Sequence, residues 1–167
     1  MGSRTVARIF PQSGLLVRKG MSETVMTGAE LLGSLAGGRE VLDWFGTCPS
    51  FHDCVLERLE IVQGDAVLAI RTFRMTEELD ADGYYVLDRH ALVLMHLTRV
   101  TGVRLEGDAG SIIGELTIRR VKSDPEPSEW TSCAGPTAGD IEVAFDTSVG
   151  LYGALFAKEL ALELRPQ

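Results

Sequence analysis

The stretch that decides the fold is Val55-Leu56-Glu57-Arg58-Leu59-Glu60-Ile61-Val62, then Gln63-Gly64-Asp65, then Val67 to Met75. Leu59 and Ile61 alternate with Arg58 and Glu60, and a period of two puts apolar side chains on one face of a strand and charges on the other. Gln63-Gly64-Asp65 is a tight-turn signal, so the two runs predict an antiparallel hairpin. Beyond it, Thr76 to Gly83 carries Glu77, Glu78, Asp80 and Asp82 and ends in Asp82-Gly83, which reads as a solvated loop.

Tyr84–Leu87, His90–Val100, Gly102–Leu105 and Ile112–Val121 are strand-like in turn. The second is nearly all apolar and predicts a central strand buried on both faces. Asp108-Ala109-Gly110 reads as a turn, and Ser123 to Asp140, rich in Pro, Gly, Ser and Thr, as a long surface loop. Ile141, Val143 and Phe145 alternate, Ser148 to Gly150 turns the chain, and Leu160, Leu162 and Leu164 mark a last strand. Residues 151–158 between them read as irregular or as a short helical turn.

Toward the N-terminus the period lengthens. Thr27 to Phe45 reads as helix, with Thr27 and Glu30 as a capping box and Leu31, Leu35, Leu42 and Phe45 at helical spacing. Gly37-Gly38 weakens its middle, so two short helices fit as well as one. Gly46 is the stop signal. Residues 1–20 read as a small hairpin or an extension ahead of a second start at Met21, and residues 21–167 as one globular domain.

Strands follow one another with no helix between them, which excludes a βαβ parallel sheet. The expected fold is α+β and mainly β: an antiparallel meander sheet or a two-layer sandwich, with an N-terminal helix packed on it.

The chain has 167 residues, 45% hydrophobic, enough for a core without disulfides or a structural metal. Sixteen Lys and Arg stand against 24 Asp and Glu, a formal charge of −8. Such a chain repels phosphate backbones, and its cations form no stripe, so nucleic acid is not an expected partner. An acidic surface instead suits a basic protein partner. No apolar run is long enough for a membrane helix, and no membrane role is expected. Cys48, Cys54 and Cys133, an odd number without metal-type spacing, point to a reducing cytoplasm.

The most distinctive residues join helix to first strand: Trp44-Phe45-Gly46-Thr47-Cys48-Pro49-Ser50-Phe51-His52-Asp53-Cys54. Pro49 ends the helix and keeps the residue before it extended. Phe51 has the character of a core anchor. His52 and Asp53 suit hydrogen bonds to loop backbone or to each other, with Asp53 fixing the imidazole tautomer. The plain reading of such a pair is a satisfied polar corner. The sharper one is a metal site of His52 and Asp53 with His96, since His90 and His96 lie too far apart along a regular strand to share an ion. Hydrolase chemistry lacks a nucleophile elbow. A Cys54–His52 thiol–imidazole pair is the geometry to check, with an inert thiol expected.

The motif resembles the immunity protein 50 family of bacteria, which shows Trp-Pro-Ser-Phe-His-Asp-Ala-Glu after a short helix and before an antiparallel strand run. This chain matches at Pro49, Ser50, Phe51, His52 and Asp53; Cys48 stands for the Trp, and Cys54 and Val55 for Ala-Glu. The resemblance implies a protein that binds and neutralises a cognate bacterial toxin by occlusion, with no catalysis and no cofactor. Candidate contacts are Glu77, Glu78, Asp80 and Asp82 on the acidic loop and Trp130 on the long loop. A metal-dependent protein using His52 and Asp53, and a self-associating structural module, are the alternatives.

Overall fold

In a computed structural model the chain is described over residues 28–124 and 135–167. The expected hairpin within residues 1–20, the Thr27 cap and Trp130 lie outside the described residues. The described part is an antiparallel β fold with two short helices, α1 (Gly28–Ser34) and α2 (Gly38–Phe45). Four strands follow: β1 (Val55–Val62), β2 (Asp65–Leu79), β3 (Tyr85–Arg120) and β4 (Ile141–Pro166).

The helix is broken where Gly37 sits. Its φ is +74°, and a Cβ there would lie 1.8 Å from the Leu162 carbonyl oxygen. Only glycine meets both demands. The close approach lets the Leu162 N–H donate to the Ala36 carbonyl at 2.8 Å, stitching the helix junction to β4. Leu32, Leu35, Val41 and Phe45 then enter the core beneath. Val41 and Phe45, four apart, share a face of α2, which ends at Gly46 in the left-handed region, its N–H on Leu42 O.

The sheet runs β1-β2-β3-β4, every pairing antiparallel. Gln63 and Gly64 both have positive φ, as a two-residue turn with the right twist requires, and Val62 pairs with Asp65 across it. β3 is the central strand. It buries Ala91, Val93, Met95 and Leu97 on one face; on the other only Leu94 is fully buried, while Leu92 and His96 are half-covered. The expectation of burial on both faces is thereby corrected: among the described residues the outer face is covered only in part, at Leu94.

The largest departure from the sequence reading is length. β3 has 36 residues and β4 26. A straight strand of that size would span about 120 Å, several times the width of a domain this large, so it must bend. It bends at bulges. Glu106 pairs with Tyr152 and Ser111 with Gly150, so four residues of β3 face one of β4. Asp108-Ala109-Gly110, expected as a turn, lies in this bulge; Ser148–Gly150, also expected as a turn, and residues 151–158, expected as irregular, are strand β4. Turn-prone residues serve here to kink a continuing ladder.

The doubled-over hairpin brings the far half of β3 back to β1. Val55 pairs with both Arg71 of β2 and Ile112 of β3. Ile113, Ile141, Val143 and Phe145 thereby pack in one core with Leu68, Ile70, Val93 and Met95. The meander and the two-layer arrangement are the same object: one sheet folded across its own core. At its end Asp140 is buried and bonded to Lys158 Nζ at 2.7 Å and Thr101 Oγ1 at 2.7 Å. These bonds, with Val121 N–H on Asp140 O at 2.8 Å, close the base of the long loop.

Candidate binding surfaces

The motif forms a tight turn between α2 and β1. Phe51 is buried, as expected of an anchor, yet has φ +55°; Asp53 has φ +59°. Neither is glycine, and each such backbone costs on the order of 1 kcal/mol. Three hydrogen bonds hold the turn: Asp53 N–H to Ile113 O at 2.9 Å, Ile113 N–H to Cys54 O at 2.8 Å, and Cys54 N–H to Phe51 O at 3.3 Å. Ser50 Oγ accepts from the His52 N–H at 3.3 Å. Pro49 is half-buried on the approach.

This strained turn aims His52 and Asp53 outward. Their side chains are 61% and 54% exposed, and His52 Nδ1 lies 3.4 Å from Asp53 Oδ1, long for a hydrogen bond. Val55 and Ile112, paired across the adjoining strands, are exposed beside them. Cys54 points the other way. It is buried, and its Sγ lies 3.0 Å from Thr72 Oγ1 and 3.6 Å from the His52 carbonyl, not on the imidazole. Burial pushes its thiol above the ordinary value despite the Thr72 bond. The thiol–imidazole pair is therefore not formed, and Cys54 is a core thiol.

The three-ligand metal reading is corrected too. His96 Nε2 sits 3.2 Å from Glu163 Oε2 on the outer face of β3 and β4, and His90 lies against the Phe73 ring at 6.2 Å. Among the described residues no three His, Cys, Asp or Glu side chains are gathered to hold a metal ion.

The acidic stretch is not a loop. Thr76, Glu77, Glu78 and Leu79 complete β2, which pairs with the start of β3 as a projecting hairpin arm. Only Asp80 to Tyr84 turn. Asp80 Oδ1 accepts the N–H of Asp82 and of Tyr84, both at 2.9 Å, and Gly83 N–H donates to Asp80 O at 3.1 Å. Asp80 is thus the lock of the turn, whereas Glu77, Glu78 and Asp82 are exposed and make no ion pair among the described residues.

The arm's root is braced. Arg74 grips Asp88 through Nε at 2.8 Å and through a second guanidinium nitrogen, holding that carboxyl below its ordinary value. Trp44 Nε1 donates to the Arg89 carbonyl at 3.1 Å, and the Arg89 guanidinium donates to the Trp44 carbonyl. Arm and motif turn are in this way both tied to the C-terminal end of α2.

The sequence reading misses the arm's apolar residues. Met75 pairs with Leu87 and Leu79 with Tyr85, and directly opposed residues share a face. Tyr85 and Leu87, two apart on one strand, share it too. All four are exposed, as is Tyr84. The signal lay in Met75 and Leu79 ahead of Asp82-Gly83 and in Tyr85-x-Leu87 after it, at unequal spacings that a register shift between Met75 and Leu79 takes up. At the bend of the long hairpin a shallow depression of about 220 Å3 is lined by Arg104, Glu106, Tyr152, Gly153 and Ala154, with the Tyr152 hydroxyl donating to Glu106 at 2.7 Å.

No helix of the described residues is long and apolar enough to cross a membrane. In comparisons with known proteins, the chain matches no family model, no curated protein and no solved structure.

Proposed function

We propose that this chain is a binding protein that neutralises a cognate protein toxin by occluding it, as its resemblance to the immunity protein 50 family implies. The observation that carries the reading is the motif turn. Backbone strain at Phe51 and Asp53 holds His52 and Asp53 out to solvent on a rigid mount. Strained, over-determined turns of this kind are a mark of recognition and catalytic sites. Here the side chains so presented are a polar pair beside the exposed Val55 and Ile112, a composition that supports contact with another protein. The core thiol Cys54 offers no nucleophile beside them. A chain of charge −8 also favours encounter with a basic toxin.

The test is co-expression. The product of the adjacent reading frame is expressed in a test bacterium with and without this chain. Toxicity relieved by the chain is the expected result; toxicity that the chain does not relieve, or none at all, refutes the reading. In the same assay a His52→Ala, Asp53→Ala double variant is expected to weaken the complex roughly 10- to 100-fold. Its melting temperature should fall by only a few degrees, because both side chains are exposed and the remaining cost is that of alanine in place of aspartate at the left-handed residue 53.

A further inference from the structure

We infer that the β2–β3 hairpin arm, Met75 to Leu87, is a second docking element, and that it takes a basic protein surface with an apolar centre. The inference rests on the binding reading above and adds to it where the partner sits and what it presents.

The first ground is exposure. Leu79 is 60% exposed, Tyr85 57%, Met75 50% and Leu87 39%, and the cross-strand register gathers all four on one face of a two-stranded ribbon. Tyr84, 73% exposed, stands at its tip. An isolated ribbon buries little of its own surface, so nothing within the described fold gains from placing large apolar groups there. Such a patch, rimmed by polar groups, is the composition of an interaction site.

The second ground is charge. Between the Arg74–Asp88 pair at the root and the tip, residues 75–87 contain Glu77, Glu78, Asp80 and Asp82 and no Lys or Arg. Half of the chain's formal charge of −8 is thus concentrated on thirteen residues. Glu77, Glu78 and Asp82 lack a cation partner among the described residues. A partner that covers the stripe must meet these carboxylates, and a cationic rim does so with charge complementarity. A second copy of this chain does the opposite. A two-fold contact through the arm would set four carboxylates against four.

The third ground is rigidity. The bidentate Arg74–Asp88 grip, the reciprocal Trp44–Arg89 bonds and the Asp80 lock fix the arm at root and tip. A pre-organised arm loses little freedom on docking.

The experiment measures association and dissociation of the full chain with the product of the adjacent reading frame, at low and high salt. Two variants are compared with the parent: Leu79→Ser with Tyr85→Ser, and Glu77→Lys with Glu78→Lys and Asp82→Lys. All five positions are exposed, and far-UV circular dichroism and melting confirm each fold. The apolar pair is expected to speed dissociation about 100-fold. The charge reversal is expected to slow association about 10-fold or more and to flatten its salt dependence. Parent-like kinetics in both variants overturn the arm while leaving the binding reading standing. A parent chain that does not bind the product overturns both. A parent chain that dimerises in sedimentation, with the Leu79→Ser, Tyr85→Ser variant monomeric, overturns the stated partner chemistry.

Discussion

Replacing Gly37 by alanine separates backbone freedom from close packing. In the left-handed region an alanine costs about 1–2 kcal/mol. At Gly37 the new Cβ would also lie 1.8 Å from the Leu162 oxygen and 2.8 Å from its carbonyl carbon. Both are backbone atoms in a paired strand and cannot rotate aside. The helix junction must lift, and the Leu162 N–H to Ala36 O bond is lost, at about 1–3 kcal/mol for a buried donor. The sum is about 2–5 kcal/mol, and at 2–4 °C per kcal/mol for a chain of this size the melting temperature should fall by about 10 °C. Gly64→Ala is the control. Its φ is +89°, but nothing lies within 4 Å of a Cβ there, so only the conformational cost applies and a smaller fall, about 2–8 °C, is expected. Thermal melting of both variants beside the parent reads the difference. A Gly37→Ala melting temperature no lower than that of Gly64→Ala would refute the claim that the junction is packed onto β4.

Two further expectations concern buried polar groups. Burial raises the Cys54 thiol, so iodoacetamide at pH 8 should label the exposed Cys48 and leave Cys54 unmodified until denaturant is added; peptide mass spectrometry reads this, and rapid native labelling of Cys54 would contradict its placement. At Asp140, burial pushes the carboxyl up, but Lys158, the Thr137 N–H and the Thr101 hydroxyl outweigh it and hold the group below its ordinary value. A depressed folded-state value means that its stabilisation is complete above the unfolded carboxylate value, about 3.9, and is lost as pH falls below it. Asp140→Asn should therefore cost about 2–3 kcal/mol at pH 7 and flatten the acid limb of a pH–stability curve; a variant with the parent's acid limb would refute this.

The hairpin of β1 and β2 is legible because Leu59 and Ile61 alternate with charges and Gln63-Gly64 supplies the turn chemistry, all within a short window. The broken helix is legible in Gly37-Gly38, although the reason for the break, the Leu162 carbonyl, lies far along the chain. The long strands are not legible. Asp108-Ala109-Gly110 and Ser148-Val149-Gly150 carry turn residues, and only their opposition across the ladder turns two apparent ends into one bend. The motif's place between α2 and β1 is legible, and so is Phe51 as its buried anchor. That Cys54 and His52 part company is not, because positive φ at Phe51 and Asp53 breaks the alternation from which their orientation would be read. The arm's stripe is hidden for a simpler reason: Glu77, Glu78, Asp80 and Asp82 are interspersed among Met75, Leu79, Tyr85 and Leu87, and in any local average of polarity the charges dominate.

The long hairpin also sets an order of assembly. Ala91 pairs with Pro166 and Leu97 with Leu160, so the central strand waits for β4, about 60 or more residues later in sequence, before its second edge is covered. Until then Leu92-Val93-Leu94-Met95 presents an apolar edge beside an already formed β1–β2–β3 meander. Contacts of such sequence separation make folding slow and leave an unpaired edge open to other chains in the interval. During synthesis this fold is therefore most vulnerable to misassembly in the interval before β4 emerges, and molecular chaperones would have their greatest effect on yield in that window.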